Sequence, residues 1–271
     1  MQDDLLDELV AAVRVNPRYQ SINQDFIRRV GGQELLKRHN VKEAVKATRS
    51  KLHQVGAAYQ ERPIDYKKLQ MDLDLLDPDL EKSALKEFCL NAMMQHTSSR
   101  ERLPYLDDFF IETLSSIGPI HSILDLACGF NPLALPWMPM ALDVEYYACD
   151  IYEDMAVFIS NFINKAGVRG FIETCDLSKE CPSNRVQLAF LLKALPCLDQ
   201  LDKNIGQRLI HSIQADHILV SYPIRSLGGK SKGMLQFYEQ QFLMLIAGIN
   251  CDIHRFVFSN ELVFRLDLKG Q

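Results

Sequence analysis

The sequence predicts an α/β domain with a mostly parallel seven-stranded sheet, preceded by an all-helical domain. No strand pattern occurs before about residue 95. After residue 120, strand-like apolar runs alternate with helical segments, which is typical of parallel sheets with crossover helices. The last two runs flank Ser259-Asn260, a two-residue hairpin turn, so one strand is expected to be antiparallel. We therefore divide the chain into domains at 1–95 and 96–271.

The all-helical domain contains amphipathic segments with recognisable ends. Acidic residues in its first turn favour a helix at 3–15. Gly31-Gly32 is expected to stop the second helix, and Asn40 is expected to cap the third with Glu43 three residues on. The helices are expected at 3–15, 22–30, 40–58 and, as a pair around Asp77-Pro78-Asp79, within 64–94.

The strands of the second domain are predicted from short apolar runs. Runs of about four to eight residues suit buried strands rather than helices. The predicted strands lie at 123–127, 145–151, 171–177, 188–193, 218–223, 251–258 and 261–267. A helix is expected at 237–249, before the final hairpin.

Composition narrows the class of protein. The chain has 271 residues, 47% apolar content and a net charge of −5. No run of about eighteen apolar residues occurs, so no membrane span is expected, and the acidic amino terminus does not resemble a secretory signal. The seven cysteines form no C-x-x-C pair, so we expect reduced thiols in the cytoplasm and no metal site.

Basic residues are concentrated between Arg14 and Gln54, although the whole chain is acidic. This segment holds ten basic and three acidic residues, a net charge of +7. Such asymmetry is the footprint of a phosphate-binding surface, and the alternative is a solvated helix face. The residues expected to contact RNA are Arg28, Arg29, Lys42, Lys46, Arg49, Lys51 and His53.

The turn after the first predicted strand indicates a ligand site. Cys128-Gly129 follows that strand, and Gly129 lets backbone approach a ligand closely. Strand, glycine turn and helix together present nucleotide-like ligands in α/β sheets. A single glycine is not the G-x-G-x-x-G phosphate cradle. This favours a cofactor without a pyrophosphate, such as S-adenosylmethionine (SAM), over NAD or ATP; an ordinary turn is the alternative.

Acidic residues end the next two strands. Asp150 lies about twenty positions after the glycine, the spacing at which a carboxylate binds ribose hydroxyls. Asp176 ends the third strand, where it could accept a hydrogen bond from an adenine amino group. A helix cap is the alternative for either residue.

Cationic residues occur at three further places. Near the domain joint, Thr97 or Ser98 could cap a helix, and Glu101 is placed to complete a capping box from Ser98. Arg100 and Arg102 lie near this helix start, and such an arginine could bind the SAM carboxylate through two hydrogen bonds or lie on the surface. Lys193 ends the fourth strand, as a target contact or a solvent-facing residue. The glycine-punctuated loop after the fifth strand suits a phosphate backbone, and its basic residues are Arg225, Lys230 and Lys232.

The chain resembles the 16S rRNA guanine-N7 methyltransferases of the aminoglycoside-resistance type. The resemblance extends from about residue 20 to the end and is most specific in the segment Ser221–Met234. The other motifs that carry it are at 51–53, 58–59, 96–103 (HTSSRERL), 124–135 (LDLACGFNPLAL), 149–151, 176–177 and 192–196. This sequence departs from the family where it has Thr97 for Ala, Asp199 for Glu and Tyr222 for Phe.

The resemblance implies a Rossmann-like SAM-dependent methyltransferase fold and methylation of a decoding-site guanosine (guanosine 1405 in rRNA numbering). It implies action on the assembled 30S subunit and resistance to aminoglycosides. By resemblance, the cofactor-binding residues would be His96, Arg102, Ala127, Gly129, Asp150, Ile151, Asp176, Leu177 and Leu192. The target-positioning residues would be Lys193, Asp199, Arg225 and Lys230.

The chemistry needs no general base, because guanine N7 carries a lone pair and no proton. Positioning the two reactants is most of the work. We expect a monomer. Two other classes remain possible at this point: a small-molecule methyltransferase with a helical lid, and an rRNA-binding protein with a vestigial pocket.

Overall fold

The amino-terminal region is helical, as the sequence predicts. The computed structural model describes residues 2–57, 60, 63–76, 82–224 and 233–270. The helices of this region are α1 (Gln2–Arg14), α2 (Gln24–Leu35), α3 (Val41–Val55), α4 (Tyr66–Asp74) and α5 (Lys82–Met93). The predicted turn at 77–79 and the motif at 58–59 lie outside the described residues.

Two helix ends differ in how well the sequence predicts them. The Asn40 side chain accepts a hydrogen bond from the Glu43 backbone N–H (2.9 Å), which confirms the cap of α3. The predicted stop at Gly31-Gly32 is wrong, because α2 continues to Leu35. Gly31 is a packing site instead: a Cβ there would collide with the Leu9 side chain.

A continuous sheet forms the second region. Its strands are β1 (Ile120–Leu126), β2 (Met140–Asp150), β3 (Arg169–Thr174), β4 (Val186–Leu192), β5 (Ala215–Pro223), β6 (Cys251–Val257) and β7 (Glu261–Leu268). The strand order is β3-β2-β1-β4-β5-β7-β6. Strands β1 to β5 pair in parallel, and β7 pairs antiparallel with both β5 and β6. The predicted strands and the terminal hairpin are therefore confirmed.

Helices cover both faces of this sheet. They are α6 (Thr97–Arg102), α7 (Leu106–Leu114), α8 (Glu153–Lys165), α9 (Leu195–Leu198), α10 (Ile205–Ser212) and α11 (Met234–Leu245), with a 3₁₀ helix at Asn131–Trp137. The predicted helix at 237–249 corresponds to α11. The expected cap by Thr97 or Ser98 is wrong, since α6 begins at Thr97 and its N-cap residue, His96, makes no side-chain capping bond.

The hydrophobic core is continuous between the two regions. One buried cluster joins Leu9, Phe26 and Leu52 of the helical region to Phe130 and Phe158 of the sheet region. A second cluster fills the opposite face of the sheet, under α10 and α11. Within the described ranges, no helix is long and apolar enough to cross a membrane.

Candidate functional site

A cavity lies at the carboxyl ends of β1 to β4, beneath the helical region. The space within it, including its open mouth, is about 730 Å³. Eight of the nine predicted cofactor residues line it: His96, Ala127, Gly129, Asp150, Ile151, Asp176, Leu177 and Leu192. The ninth, Arg102, does not.

The turn after β1 forms the floor of the cavity. Ala127 and Gly129 both have left-handed backbone, with φ of 52° and 51°. The Gly129 N–H donates to Asp150 Oδ2 (3.0 Å), so the turn after β1 is fastened to the end of β2. A Cβ on Gly129 would lie 3.0 Å from His96 Cε1. The glycine thus allows both the backbone conformation and the close packing of His96.

Asp150 is held by backbone donors at the cavity wall. In addition to the Gly129 bond, its Oδ1 accepts the Ile151 N–H (2.7 Å). Burial raises the pKa of this carboxyl, although the backbone hydrogen bonds from Gly129 and Ile151 oppose the shift. A carboxylate has about four lone-pair sites, so Asp150 retains acceptor capacity toward the cavity.

Asp176 is held differently, by a residue of the helical region. Arg29 donates to it through Nε (2.5 Å) and Nη2 (3.2 Å), and the Ser178 N–H donates to the same carboxylate (3.0 Å). The Arg29 side chain is only 18% exposed. The Arg29 guanidinium is therefore engaged with Asp176, and its contact with RNA phosphate stays a prediction.

A buried ionic network lies behind the cavity. Arg102 binds Glu261 through two hydrogen bonds (2.6 and 3.0 Å) and donates to Asn131 Oδ1 (3.1 Å). Lys193 Nζ lies 2.9 Å from Glu101 and 3.7 Å from Glu261. The Arg102 guanidinium is thus hydrogen-bonded to Glu261 and Asn131. Its contact with a cofactor carboxylate stays a prediction.

Lys193 is buried at the end of β4. Its side chain is only 2% exposed, because Glu101 and Glu261 hold the ammonium group below the surface. The alternative that Lys193 is a solvent-facing residue at the end of its strand is therefore excluded. Lys193 does line the cavity, so a contact with a target base inside it stays a prediction. Its backbone is left-handed, with a φ of 56°.

Burial and nearby charges shift the pKa of three groups in this region. Burial alone would raise the pKa of Glu261, but Arg102 and Lys193 outweigh burial and lower it to about 2. Burial raises the pKa of Asp125 to about 7, although Tyr146 and Asn131 donate to it. Burial, followed by repulsion from Lys193, lowers the pKa of His96 to about 4. His96 is thus neutral at physiological pH.

Sequence reasoning missed the part of the site contributed by the helical region. Phe26, Val55 and Gly56 line the cavity, as does Tyr152 after β2. A Cβ on Gly56 would lie 3.0 Å from Tyr152 Oη, so glycine allows α3 to end against this wall. No spacing in the sequence could reveal these contacts, because they join residues about a hundred positions apart that no local pattern relates.

The predicted RNA-binding residues divide into two groups. Lys42, Lys46 and His53 are exposed on α3. The others are engaged in contacts within the protein: Arg28 pairs with Asp7, Arg49 donates to the Ala12 carbonyl oxygen (2.5 Å), and Lys51 lies 3.5 Å from the buried carboxylate of Glu34.

The predicted target-positioning residues other than Lys193 lie apart from the cavity or outside the described residues. Asp199 lines a second cleft, with Lys203 and Tyr222, and burial raises the pKa of its carboxyl. Arg225, Lys230 and Lys232 lie outside the described residues. Within the described residues, no cluster of three or more histidine, cysteine or acidic side chains is arranged to hold a metal ion.

The glycine turn, the acid-ended strands and the seven-stranded sheet define an α/β methyltransferase. The chain belongs to the FmrO family of ribosomal RNA methyltransferases, whose family model matches residues 15–265.

Relatives and solved structures agree with this assignment. The chain is 33% identical over 264 residues to a 16S rRNA (guanine(1405)-N(7))-methyltransferase of Micromonospora rosea, covering 97% of this chain and 96% of the relative. It is 32% identical over 270 residues to a protein of the same name from Frankia casuarinae, covering 97% and 94%. The crystal structure of 16S rRNA methyltransferase RmtF with S-adenosyl-L-homocysteine superposes with a TM-score of 0.84 at 27% identity, covering 97% of this chain and 98% of RmtF.

Proposed function

We propose that this protein transfers a methyl group from SAM to N7 of guanine 1405 of 16S rRNA, within the assembled 30S subunit. The observation that carries the proposal is the cavity in which Gly129 and Asp150 meet, roofed by helices that bear exposed cations. The names of the full-length relatives support the same target. We expect the protein to act as a monomer in the cytoplasm. Its activity is expected to confer aminoglycoside resistance.

The cavity residues fit SAM. Asp150 presents a carboxylate that suits two ribose hydroxyls. The walls beside it are apolar side chains that suit an adenine ring, contributed by Phe26, Ile151 and Leu177. Ala127 and Gly129 leave a floor without bulky side chains for the methionyl part. Bound SAM supplies an electrophilic methyl group on a sulfonium.

The protein is then expected to orient SAM and the target guanine and to exclude water from them. Guanine N7 needs no deprotonation, so no general base is assigned. The low pKa of His96 keeps its imidazole neutral beside Gly129, which avoids placing a second positive charge near a sulfonium. Lys193, Asp199, Arg225 and Lys230 are proposed to position the target base; the last two lie outside the described residues.

Docking on the subunit is assigned to the exposed face of α3. Lys42, Lys46 and His53 lie on this face, and cations there can replace counterions along the phosphate backbone. Sequence-specific RNA enzymes act on bases extruded from their stack. The net charge of −5 means that this local surface, rather than the overall charge, must provide the attraction.

The test supplies tritiated SAM with intact 30S subunits, free 16S rRNA or a panel of small amines and phenols. Incorporation into 30S subunits, mapped to guanine 1405 by cleavage at N7-methylguanosine, is the expected result. An Asp150→Asn variant serves as the control for the cofactor site. Transfer to the small molecules without transfer to 30S subunits would refute the proposal in favour of a small-molecule methyltransferase. SAM binding without any transfer would also refute it.

A further inference from the structure

The segment that leads into α2 is joined to the cofactor edge of the sheet by backbone hydrogen bonds. The Asn23 N–H donates to the Ile151 carbonyl oxygen (2.8 Å), and the Glu153 N–H donates to the Ser21 carbonyl oxygen (2.7 Å). These partners immediately follow Asp150 in the chain. The start of α2 therefore has a fixed position relative to the end of β2.

From this position, α2 places Arg29 against two residues that line the cavity, Phe26 and Asp176. The Arg29 guanidinium lies 5.2 Å from the centre of the Phe26 ring, and Phe26 lines the cavity. Nε and Nη2 of Arg29 donate to the two carboxylate oxygens of Asp176. The two side chains are 18% and 11% exposed, so the pair is shielded from solvent on most sides.

This geometry differs from that of a surface ion pair. Exposed pairs contribute little, because water and salt screen them. A bidentate arginine–carboxylate pair is directional and fixes the plane of the carboxylate. The Ser178 hydroxyl and N–H also donate to Asp176 Oδ1. The orientation of the Asp176 side chain is therefore set by Arg29 on one side and by Ser178 on the other.

We propose that Arg29 is a positioning residue for the cofactor: it holds Asp176 and Phe26 in the arrangement that receives the adenine end of SAM. This inference rests on the proposed placement of adenine beside Asp176. It makes the helical region part of the cofactor site rather than only a docking module. It also assigns Arg29 a function different from that of Arg28, its neighbour on α2.

Arg28 provides a matched control. It carries the same side chain on the same helix and also pairs with one carboxylate, that of Asp7. That pair lies on α1 and α2, and neither residue lines the cavity. Replacing Arg28 with glutamine therefore removes the same charge and alters helix propensity equally, without touching Asp176.

The experiment measures S-adenosylhomocysteine binding to full-length variants by calorimetry, without ribosomes. Loss of a charge-assisted pair is expected to weaken binding about tenfold in Arg29→Gln. Arg29→Lys keeps the charge but loses the bidentate geometry, so its affinity for S-adenosylhomocysteine is expected to lie between that of Arg29→Gln and that of wild type. Arg28→Gln is expected to stay within about twofold of wild type. Thermal melting checks that each variant folds. If Arg29→Gln does not fold, the comparison of Arg29→Lys with wild type still tests the inference.

A double variant distinguishes an effect of Arg29 that acts through Asp176 from a general effect on cofactor binding. If Arg29 acts through Asp176, Arg29→Gln combined with Asp176→Asn should bind no more weakly than the worse single variant. Unchanged binding in Arg29→Gln, or equal loss in Arg28→Gln, would overturn the inference. If Asp176→Asn also binds normally, the placement of adenine itself has failed. Weak binding by Asp176→Asn alone would refute only the role of Arg29.

Discussion

Glu261 is the residue whose loss should destabilise this fold most clearly. It is fully buried and faces two buried cations, Arg102 and Lys193. Ser221 Oγ also donates to it (2.5 Å). Glu261→Gln preserves the size of the side chain but removes the charge that both cations share. Lys193 would keep Glu101, whereas Arg102 would lose the carboxylate that it binds through two hydrogen bonds.

Two lines of reasoning give the same magnitude. Breaking a buried ion pair by removing one partner costs about 3–5 kcal/mol. Independently, the pKa of Glu261 falls from an ordinary 4.5 to about 2, which corresponds to about 3 kcal/mol at neutral pH. For a chain of this size, a loss of about 3 kcal/mol should lower Tm by about 6–12 °C.

The assay is thermal unfolding followed by circular dichroism, with Glu239→Gln as the control. Glu239 pairs with Arg255 (2.8 Å) on the surface, with side chains 33% and 42% exposed, so its loss should cost less than about 1 kcal/mol. A Tm for Glu261→Gln as high as that of Glu239→Gln would refute the reasoning.

The same network predicts a pH dependence. Because the pKa of Glu261 is lower in the folded state, its stabilising contribution is complete above about pH 4.5 and is lost as the pH falls toward 2. The difference in unfolding free energy between wild type and Glu261→Gln should therefore shrink below about pH 4.5. A difference that stays constant across that window would contradict the assignment of the low pKa to Glu261.

Three further outcomes are expected. Lys42→Glu combined with Lys46→Glu should weaken 30S binding and its salt dependence in filter-binding assays while leaving S-adenosylhomocysteine affinity unchanged; equal loss of both would contradict the division between docking face and cavity. Asp150→Asn should weaken S-adenosylhomocysteine binding at least about tenfold by calorimetry, and normal affinity would exclude Asp150 from the site. Gly129→Ala should lower unfolding free energy by about 1–2 kcal/mol because of its left-handed backbone, and should weaken cofactor binding by displacing His96; a variant as stable and as tight-binding as wild type would show that the turn tolerates a side chain.

The sequence predicts the parts of the site that depend on local signals. The apolar run before Gly129 and the spacing to Asp150 are both read along one stretch of chain, and the two residues meet as that spacing indicates. Gly31 shows the limit of such signals. Its flexibility predicts a helix end, but packing against Leu9 is decided by a neighbouring helix and overrides local propensity.

Charge was harder to interpret than hydrophobicity. The net charge of +7 between Arg14 and Gln54 counts formal charges and ignores where each side chain points. Arg29 is neutralised by Asp176, which is 147 positions away, and Lys193 by Glu101, which is 92 positions away. Only the fold determines such pairs, so a basic segment predicts a docking surface without identifying its residues.

The position of the cavity follows from the strand order. The chain runs from β1 outward to β2 and β3, and then from β4 outward to β5 on the other side. β1 and β4 are therefore adjacent strands whose connections diverge, and ligands of α/β sheets bind in the crevice that this leaves at the carboxyl edge. Both strands end there on a left-handed residue, Ala127 and Lys193.

This arrangement also gives the site two distinct sides. Asp150 and Asp176 lie on the β2–β3 side, where Arg29 and the helical region cover them. Lys193 and Cys197 lie on the β4 side of the same cavity. If the carboxylates hold the nucleoside part of the cofactor, the reactive part must face β4, and the target base must enter from there. The helical region reaches this side as well, because α3 contacts α9, which follows β4. The proposed docking helix is therefore expected to lie beside the entrance of the target base.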